Sequence, residues 1–338
     1  MEAEEGIRPL KVVTFGKRQG GSGATTISFN AALWMIKLEP PPSGKRYVFV
    51  EADFGRQSAL WLFDPEFLRA REEDPDSHPT LREFLMGSAE PRELLVTSER
   101  YPEYRDLSVV AAGSLTMSDK ELMERYDRYL EKLDELMDFL NPISHRIVVD
   151  GPGAGGLSGL RDYYLLTTIA DLFVPVVEPN KPSIDDAQAL IDLAVTVGTG
   201  YACYVLNKYE DRHSSILRVA EEELAAPPLE TRGFLVRYDE MAKRTYDEGK
   251  PLVLFAPHSP ASQDIKRIAE FLLRVRVKEE YERPSRKGRR LLEILRRLSL
   301  RKLSPSAIFK PLRKGRLETR DRELEEALRE IEKMLEEM

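Results

Sequence analysis

Gly16-Lys17-Arg18-Gln19-Gly20-Gly21-Ser22-Gly23-Ala24-Thr25-Thr26 is the stretch whose reading decides the architecture. It follows the apolar run Leu10-Lys11-Val12-Val13-Thr14-Phe15. It precedes Ile27-Ser28-Phe29-Asn30-Ala31-Ala32-Leu33-Trp34-Met35, whose apolar spacing reads as a helix. Strand, glycine-rich loop and helix in that order are the setting of a loop that cradles phosphate. Glycines let successive backbone N–H groups turn toward one point, and the start of the helix adds the positive end of its dipole, so anion binding does not rest on side-chain charge alone. Such loops ordinarily carry a lysine where this chain has Ala24.

Outward from the loop, short apolar runs alternate with amphipathic stretches. The runs are Tyr47-Val48-Phe49-Val50, Leu107 to Ala112, Arg146-Ile147-Val148-Val149-Asp150, Leu172 to Val177, Tyr201 to Leu206 and Phe234-Leu235-Val236. Helical patterns lie between them, for example from Asp119 to Leu140 and from Ser183 to Val197. Near-continuous apolar strands separated by helices predict a doubly wound α/β domain, with a mostly parallel sheet covered by helices on both faces. Ligands of such sheets gather at the carboxyl ends of the strands, which is where the glycine loop, Asp53 and Asp150 fall.

Composition bounds the rest. A chain of 338 residues with 42% hydrophobic content can bury one large core or one core with an appendage. No apolar run approaches the roughly 20 residues of a membrane-spanning helix, and the acidic start Met1-Glu2-Ala3-Glu4-Glu5 lacks the basic and apolar regions of a signal peptide. Cytoplasmic residence is the expectation. The single cysteine, Cys203, excludes an internal disulfide framework and paired-thiolate metal sites, and its apolar neighbours predict a buried strand position. His78, His145, His213 and His258 show no ligand spacing.

The composition changes after about Val275, dividing the chain into residues 1–275 and a helical extension over 276–338. From Arg283 to Arg316 the only acid is Glu293 among thirteen lysines and arginines. Within that module Leu291, Ile294, Leu295 and Leu298 share one helical stripe and arginines occupy the other faces. Docking on the core, contact with an anionic membrane, and contact with nucleic acid or a protein partner all remain open for it. Leu324, Leu328, Ile331, Leu335 and Met338 then form a short heptad pattern suited to another helix or a second subunit.

A nucleotide hydrolase of this architecture needs an acid at a strand end for Mg²⁺ or its water, and a hydroxyl after the phosphate loop. Thr25 supplies the hydroxyl. Asp150 ends the strand Arg146 to Val149 and opens the turn Asp150-Gly151-Pro152-Gly153; Asp53 leaves a strand in Val50-Glu51-Ala52-Asp53-Phe54-Gly55 and could orient a water.

Together these residues resemble the ParA/MinD family of deviant P-loop ATPases, from about residue 10 to residue 274. Gly20-Gly21-Ser22-Gly23-Ala24-Thr25-Thr26 is similar to the family's KGGxGKTT, Glu51-Ala52-Asp53 to its D-x-D switch, and Asp150-Gly151-Pro152-Gly153 to its DxPPG. Glu178 to Ala187 and Tyr246-Asp247-Glu248-Gly249-Lys250-Pro251-Leu252-Val253 also resemble MinD-type chains. The resemblance implies a P-loop NTPase fold, ATP or ADP with Mg²⁺ as cofactors, and an ATP-sandwich homodimer that positions other components. It also implies Asp53 in the water-orienting role, Thr25 and Asp150 at the metal, Gly20 to Thr26 around the phosphates and Asn207 near the adenine.

Two departures bear on chemistry. The phosphate-contacting lysine is Ala24, and the family's second lysine, just before Gly20-Gly21, is Gln19. Loops of the form GGxGAT resemble the TadZ/CpaE subgroup, which serves pilus or secretion-machine placement. A lost charge-assisted hydrogen bond costs about 1.5–3 kcal/mol, whereas a cation acting on transition-state charge is worth ~10³–10⁵ in rate. The sequence therefore predicts an ATP-binding switch that recruits a partner, with hydrolysis slow or absent. The alternative is an active ATPase of DNA partitioning or machine placement in which Lys17 or Arg18 restores the charge. A metal or iron–sulfur carrier is disfavoured by the lone Cys203.

Overall fold

The computed structural model describes residues 7–17, 20–53, 58–74, 78–98, 100–113, 119–153, 168–225, 231–278 and 283–287. The apolar runs become the strands β1 (Ile7–Pro9), β2 (Val12–Lys17), β3 (Arg46–Glu51), β4 (Leu95–Val96), β5 (Leu107–Val110), β6 (Ser144–Gly153), β7 (Leu172–Val177), β8 (Gly200–Tyr201), β9 (Cys203–Tyr209), β10 (Arg232–Arg237) and β11 (Arg276–Lys278). The described helices are α1 (Ala24–Leu38), α2 (Ser58–Phe63), α3 (Pro65–Glu73), α4 (Leu81–Met86), α5 (Asp119–Ile143), α6 (Lys181–Thr196), α7 (Ser214–Leu224), α8 (Glu240–Glu248), α9 (Leu252–Phe255) and α10 (Pro260–Arg274).

The main sheet runs β10-β9-β7-β2-β6-β3-β5-β4, with β8 beside β7. Every pairing is parallel except β4 with β5. The doubly wound, mostly parallel sheet read from the sequence is the fold observed. β2 is buried at every position because both its neighbours and both its faces are covered. Side chains alternate between faces along a strand: Val13 and Phe15 join the cluster under α1 and α10, whereas Val12 faces the cluster that holds α4 and α5. α6 and α7 close a third cluster over β7 and β9 around Phe173, Tyr204 and Leu206.

Burial on this scale explains why α1 is helical although few of its positions are polar: Ile27, Phe29, Ala31, Ala32, Leu33 and Met35 are each at most 1% exposed. Phe29 meets the rings of Phe49 and Phe63 edge-on, pinning α1 to β3 and α2. Cys203 is buried in β9 as expected, and burial pushes its thiol up to about 12.

Beyond Val275 the chain stays on the same body for a short distance. β11 pairs antiparallel with β1, the Ser285 N–H donates to Asp134 Oδ1 at 2.9 Å, and the buried Lys287 ammonium donates to the Ala170 carbonyl at 2.8 Å. The basic stripe at Leu291 to Leu298 and the heptad pattern at Leu324 to Met338 lie outside the described residues. Among the described residues no helix is long and apolar enough to cross a membrane.

Candidate functional site

β2, β6 and β3 are neighbours in the sheet, and Lys17 at the end of β2, the loop that follows it and Asp53 just after β3 line part of a cavity of about 620 Å³. Lys17, Gly21, Gly23, Ala24, Thr25, Thr26 and Asp53 line one part of it, and Asn207, Lys208, Tyr238 and Tyr246 line another.

The loop's geometry follows from its glycines. Gly21 and Gly23 sit at φ of +90° and +82°, in the left-handed region where a side chain is strained. A Cβ on Gly23 would fall against the Asn207 amide nitrogen. Gly23 is also the N-cap of α1 and caps it without a side-chain hydrogen bond, which leaves the first turn of α1 without the side-chain acceptor that usually occupies it. That is the local arrangement at which an anion is favoured.

Beneath the loop lies a cluster of charge. The Thr25 hydroxyl donates to Asp150 Oδ2 at 2.6 Å and the Ser28 hydroxyl to Asp150 Oδ1 at 3.2 Å. Asp150 is fully buried, and burial raises its pKa against the opposing pull of Lys17 and those hydroxyls. The Lys17 ammonium lies 3.0 Å from Asp53 Oδ2 and 3.4 Å from the Thr25 hydroxyl, with Lys17 only 6% exposed. Burial works against its charge, but Asp150 and Asp53 more than offset that and hold its pKa above the ordinary lysine value. Pairing between β2 and β6 shifts register between Phe15 and Lys17; irregularities of this kind re-aim a strand's last side chains. Of the two cations read from the sequence, Lys17 is therefore inside the cavity, and Arg18 and Gln19 lie outside the described residues.

Two residues of the site carried weaker sequence signals. Glu51 is wholly buried; burial raises its pKa well above the carboxylate range, its Oε1 accepts from the Ala59 N–H at 2.8 Å and its Oε2 has no partner. Tyr246 brings its hydroxyl to 3.3 Å from the Thr26 hydroxyl, and its carbonyl accepts from Trp61 Nε1 at 3.1 Å. Its position in the Tyr246 to Val253 segment was visible, but its approach to Thr26 from 220 residues away was not. Asn207 donates its amide to the Ser22 carbonyl at 2.6 Å, which directs its Oδ1 away from that carbonyl.

The fold is that of MinD-type P-loop ATPases. The septum site-determining protein MinD of Pyrococcus horikoshii, solved with Mg-ADP, superposes with a TM-score of 0.58 at 17% identity over 78% of this chain and 96% of that one. McdA of Cyanothece in an ATP complex superposes with a TM-score of 0.59 at 14% identity over 81% and 99%. In sequence, an uncharacterized ATP-binding protein of Methanocaldococcus jannaschii is 25% identical over 263 residues, covering 77% of this chain and 87% of its own. Another from the same organism is 25% identical over 274 residues, covering 80% and 91%. No family model matches the chain. Asp53 follows β3, and Asp150, read from the sequence as a strand's end and the start of a turn, lies inside β6, which continues through Gly151 and Pro152 to Gly153 because its pairing with β2 extends to Lys17.

Proposed function

We propose that the chain is an ATP-binding switch of the MinD/ParA kind in which Lys17 carries the charge that Ala24 lacks. The observation that supports this most directly is the buried Lys17 ammonium, enclosed by Asp53, Asp150 and Thr25 at the end of β2. A buried cation under a glycine loop is placed to meet an anion once it is drawn from its carboxylate partner.

The residues fit ATP with magnesium. Gly20 to Thr26 offer backbone N–H groups and the start of α1 to the phosphates. Thr25 and Asp150 are hard oxygen donors, 2.6 Å apart, of the kind magnesium takes, and would hold it directly or through water. Magnesium, when bound, neutralises charge on the phosphate oxygens. Lys17 would turn from Asp53 toward the terminal phosphate, and Asp53, released, would orient the attacking water. Asn207, its amide held by Ser22, would present Oδ1 to the 6-amino group of adenine. Hydrolysis is slow on this reading, because Lys17 reaches the site from the strand rather than from the loop and begins the cycle paired with a carboxylate.

ATP would favour a homodimer that recruits or positions a partner. The GGxGAT form of the loop, similar to TadZ/CpaE chains, points toward a pilus or secretion machine. Of the basic segment 283–316, the part beyond the buried Lys287 would meet an anionic membrane or nucleic acid, giving cytoplasmic residence with peripheral attachment. A fast partitioning ATPase is the second reading, favoured by the same ion pair if Lys17 restores full activity.

Phosphate release and calorimetry with ATP and Mg²⁺ test this. Binding with slow release that disappears in Asp53→Ala and in Lys17→Ala is expected. Tight binding with no release leaves a switch without turnover, rapid release leaves the partitioning ATPase, and no heat of binding overturns the nucleotide reading.

A further inference from the structure

Lys208 is the one residue other than glycine that lies at positive φ among the described residues, at +56°. A β-carbon is disfavoured in that region, and Asn or Gly would occupy it more easily than Lys. A strained lysine persists where its side chain compensates, and strain of this kind clusters at functional sites. The Lys208 ammonium donates to the Gly21 carbonyl at 2.6 Å and meets Glu178 Oε1 at 2.6 Å. Its neighbour Asn207 donates to the next carbonyl of the loop, that of Ser22, also at 2.6 Å.

Two consecutive carbonyls of the glycine loop are thus drawn toward the end of β9. In a trans peptide the N–H points opposite to its carbonyl, so the N–H groups of Ser22 and Gly23 are turned away from β9 by these two bonds. Glu178, at the end of β7, fixes the lysine in turn, and Lys208 bridges two strand ends and the loop. We infer that Lys208 is a positioning residue for the phosphate loop. It holds the Gly21 carbonyl outward so that the backbone N–H groups converge on the phosphates in a loop that lacks its own lysine. The left-handed backbone aims the side chain back across Gly21, which explains why strain is tolerated there. This inference rests on the nucleotide reading above.

The test uses the full chain carrying Lys208→Gly, which keeps the left-handed backbone without strain and removes the tether, beside Lys208→Arg, which can restore it. Calorimetry with ATP and with ADP, each with Mg²⁺, should show about fivefold to tenfold weaker binding in Lys208→Gly, the scale of one charge-assisted bond at a half-exposed position. Adenosine, measured as a competitor, should bind as it does to the unaltered chain, because it makes no phosphate contact, and Lys208→Arg should recover most of the loss. Amide hydrogen exchange at residues 20–25 of the nucleotide-free protein should be faster in Lys208→Gly. Unchanged ATP affinity and unchanged exchange in a folded Lys208→Gly protein overturn the tether and leave the nucleotide reading intact. Equal weakening of adenosine and ATP also overturns it, since that marks a general loss of structure. Failure of the unaltered chain to bind any nucleotide overturns the nucleotide reading, and the positioning role with it, whatever the exchange data show.

Discussion

Asp53→Asn should tighten the binding of ATP while it stops hydrolysis. In the free protein Asp53 Oδ2 and the Lys17 ammonium are 3.0 Å apart, with their side chains 20% and 7% exposed. At that distance and an effective dielectric of about 20, the attraction is about 5–6 kcal/mol before desolvation. A terminal phosphate that recruits Lys17 must compete with this carboxylate, and recovers most of the attraction in its own contact with the ammonium. If about a quarter of it is not recovered, the exchange costs about 1.4 kcal/mol, which is tenfold in Kd. An asparagine removes the competing charge but keeps the shape, so ATP with Mg²⁺ should bind about tenfold more tightly by calorimetry. Phosphate release should fall below detection, because the neutral amide orients and polarises the attacking water less well than the carboxylate. The substitution should cost about 1–2 kcal/mol of stability, less than a fully orphaned buried charge, because Lys17 keeps Asp150 nearby. Lys17→Ala should do the opposite to binding, weakening ATP by about tenfold to a hundredfold. Equal or weaker ATP binding by Asp53→Asn, together with unaltered binding by Lys17→Ala, would refute the view that the two residues exchange partners at the phosphate.

Further tests follow from the loop and from β9. Gly23→Ala forces a β-carbon into the left-handed region, at about 1–2 kcal/mol, and against the Asn207 amide; a lower melting temperature and a large loss of ATP affinity are expected by thermal shift and calorimetry. Asn207→Asp sets a carboxylate oxygen against the Ser22 carbonyl where a donor now sits at 2.6 Å, and should weaken ATP at least about tenfold, the scale of a lost bond plus an introduced repulsion. Cys203, its thiol moved by burial from 9.0 to about 12, should resist Ellman's reagent at pH 8 unless the chain unfolds. Between pH 9 and 12 the native thiol keeps a proton that the unfolded one releases. Stability should therefore fall with rising pH across that window, and denaturant midpoints should show a shallower fall in Cys203→Val.

The α/β architecture was legible because it is written in local patterns. Val12 to Phe15, Ile147 to Val149 and Leu172 to Val177 read as strands buried on both faces, and each became one. Helix and strand limits moved by a few residues, as with α5, which runs to Ile143 rather than Leu140. The short antiparallel pair of β1 with β11 joins residues about 270 positions apart, and its segments, Ile7-Arg8-Pro9 and Arg276-Val277-Lys278, carry no periodicity of their own. Asp53, Asp150 and the glycine loop could be named from sequence because parallel strands deliver their carboxyl ends to one edge.

What sequence alone determined is a glycine-rich loop between a strand and a helix, with Ala24 in it and acids near the ends of neighbouring strands, since each follows from residue type and adjacency. Only the tertiary structure put Lys17 into the cavity beside Asp53, while Arg18 lies outside the described residues. Two basic residues stood side by side at Lys17 and Arg18, and composition treats them alike. The direction of a side chain at a strand's end depends on register with the next strand, and the shift between β2 and β6 sits at Lys17. Lys208, itself paired with Glu178, and Tyr246 likewise reach Gly21 and Thr26 from far along the chain, because strand order rather than sequence order sets the neighbours of those residues.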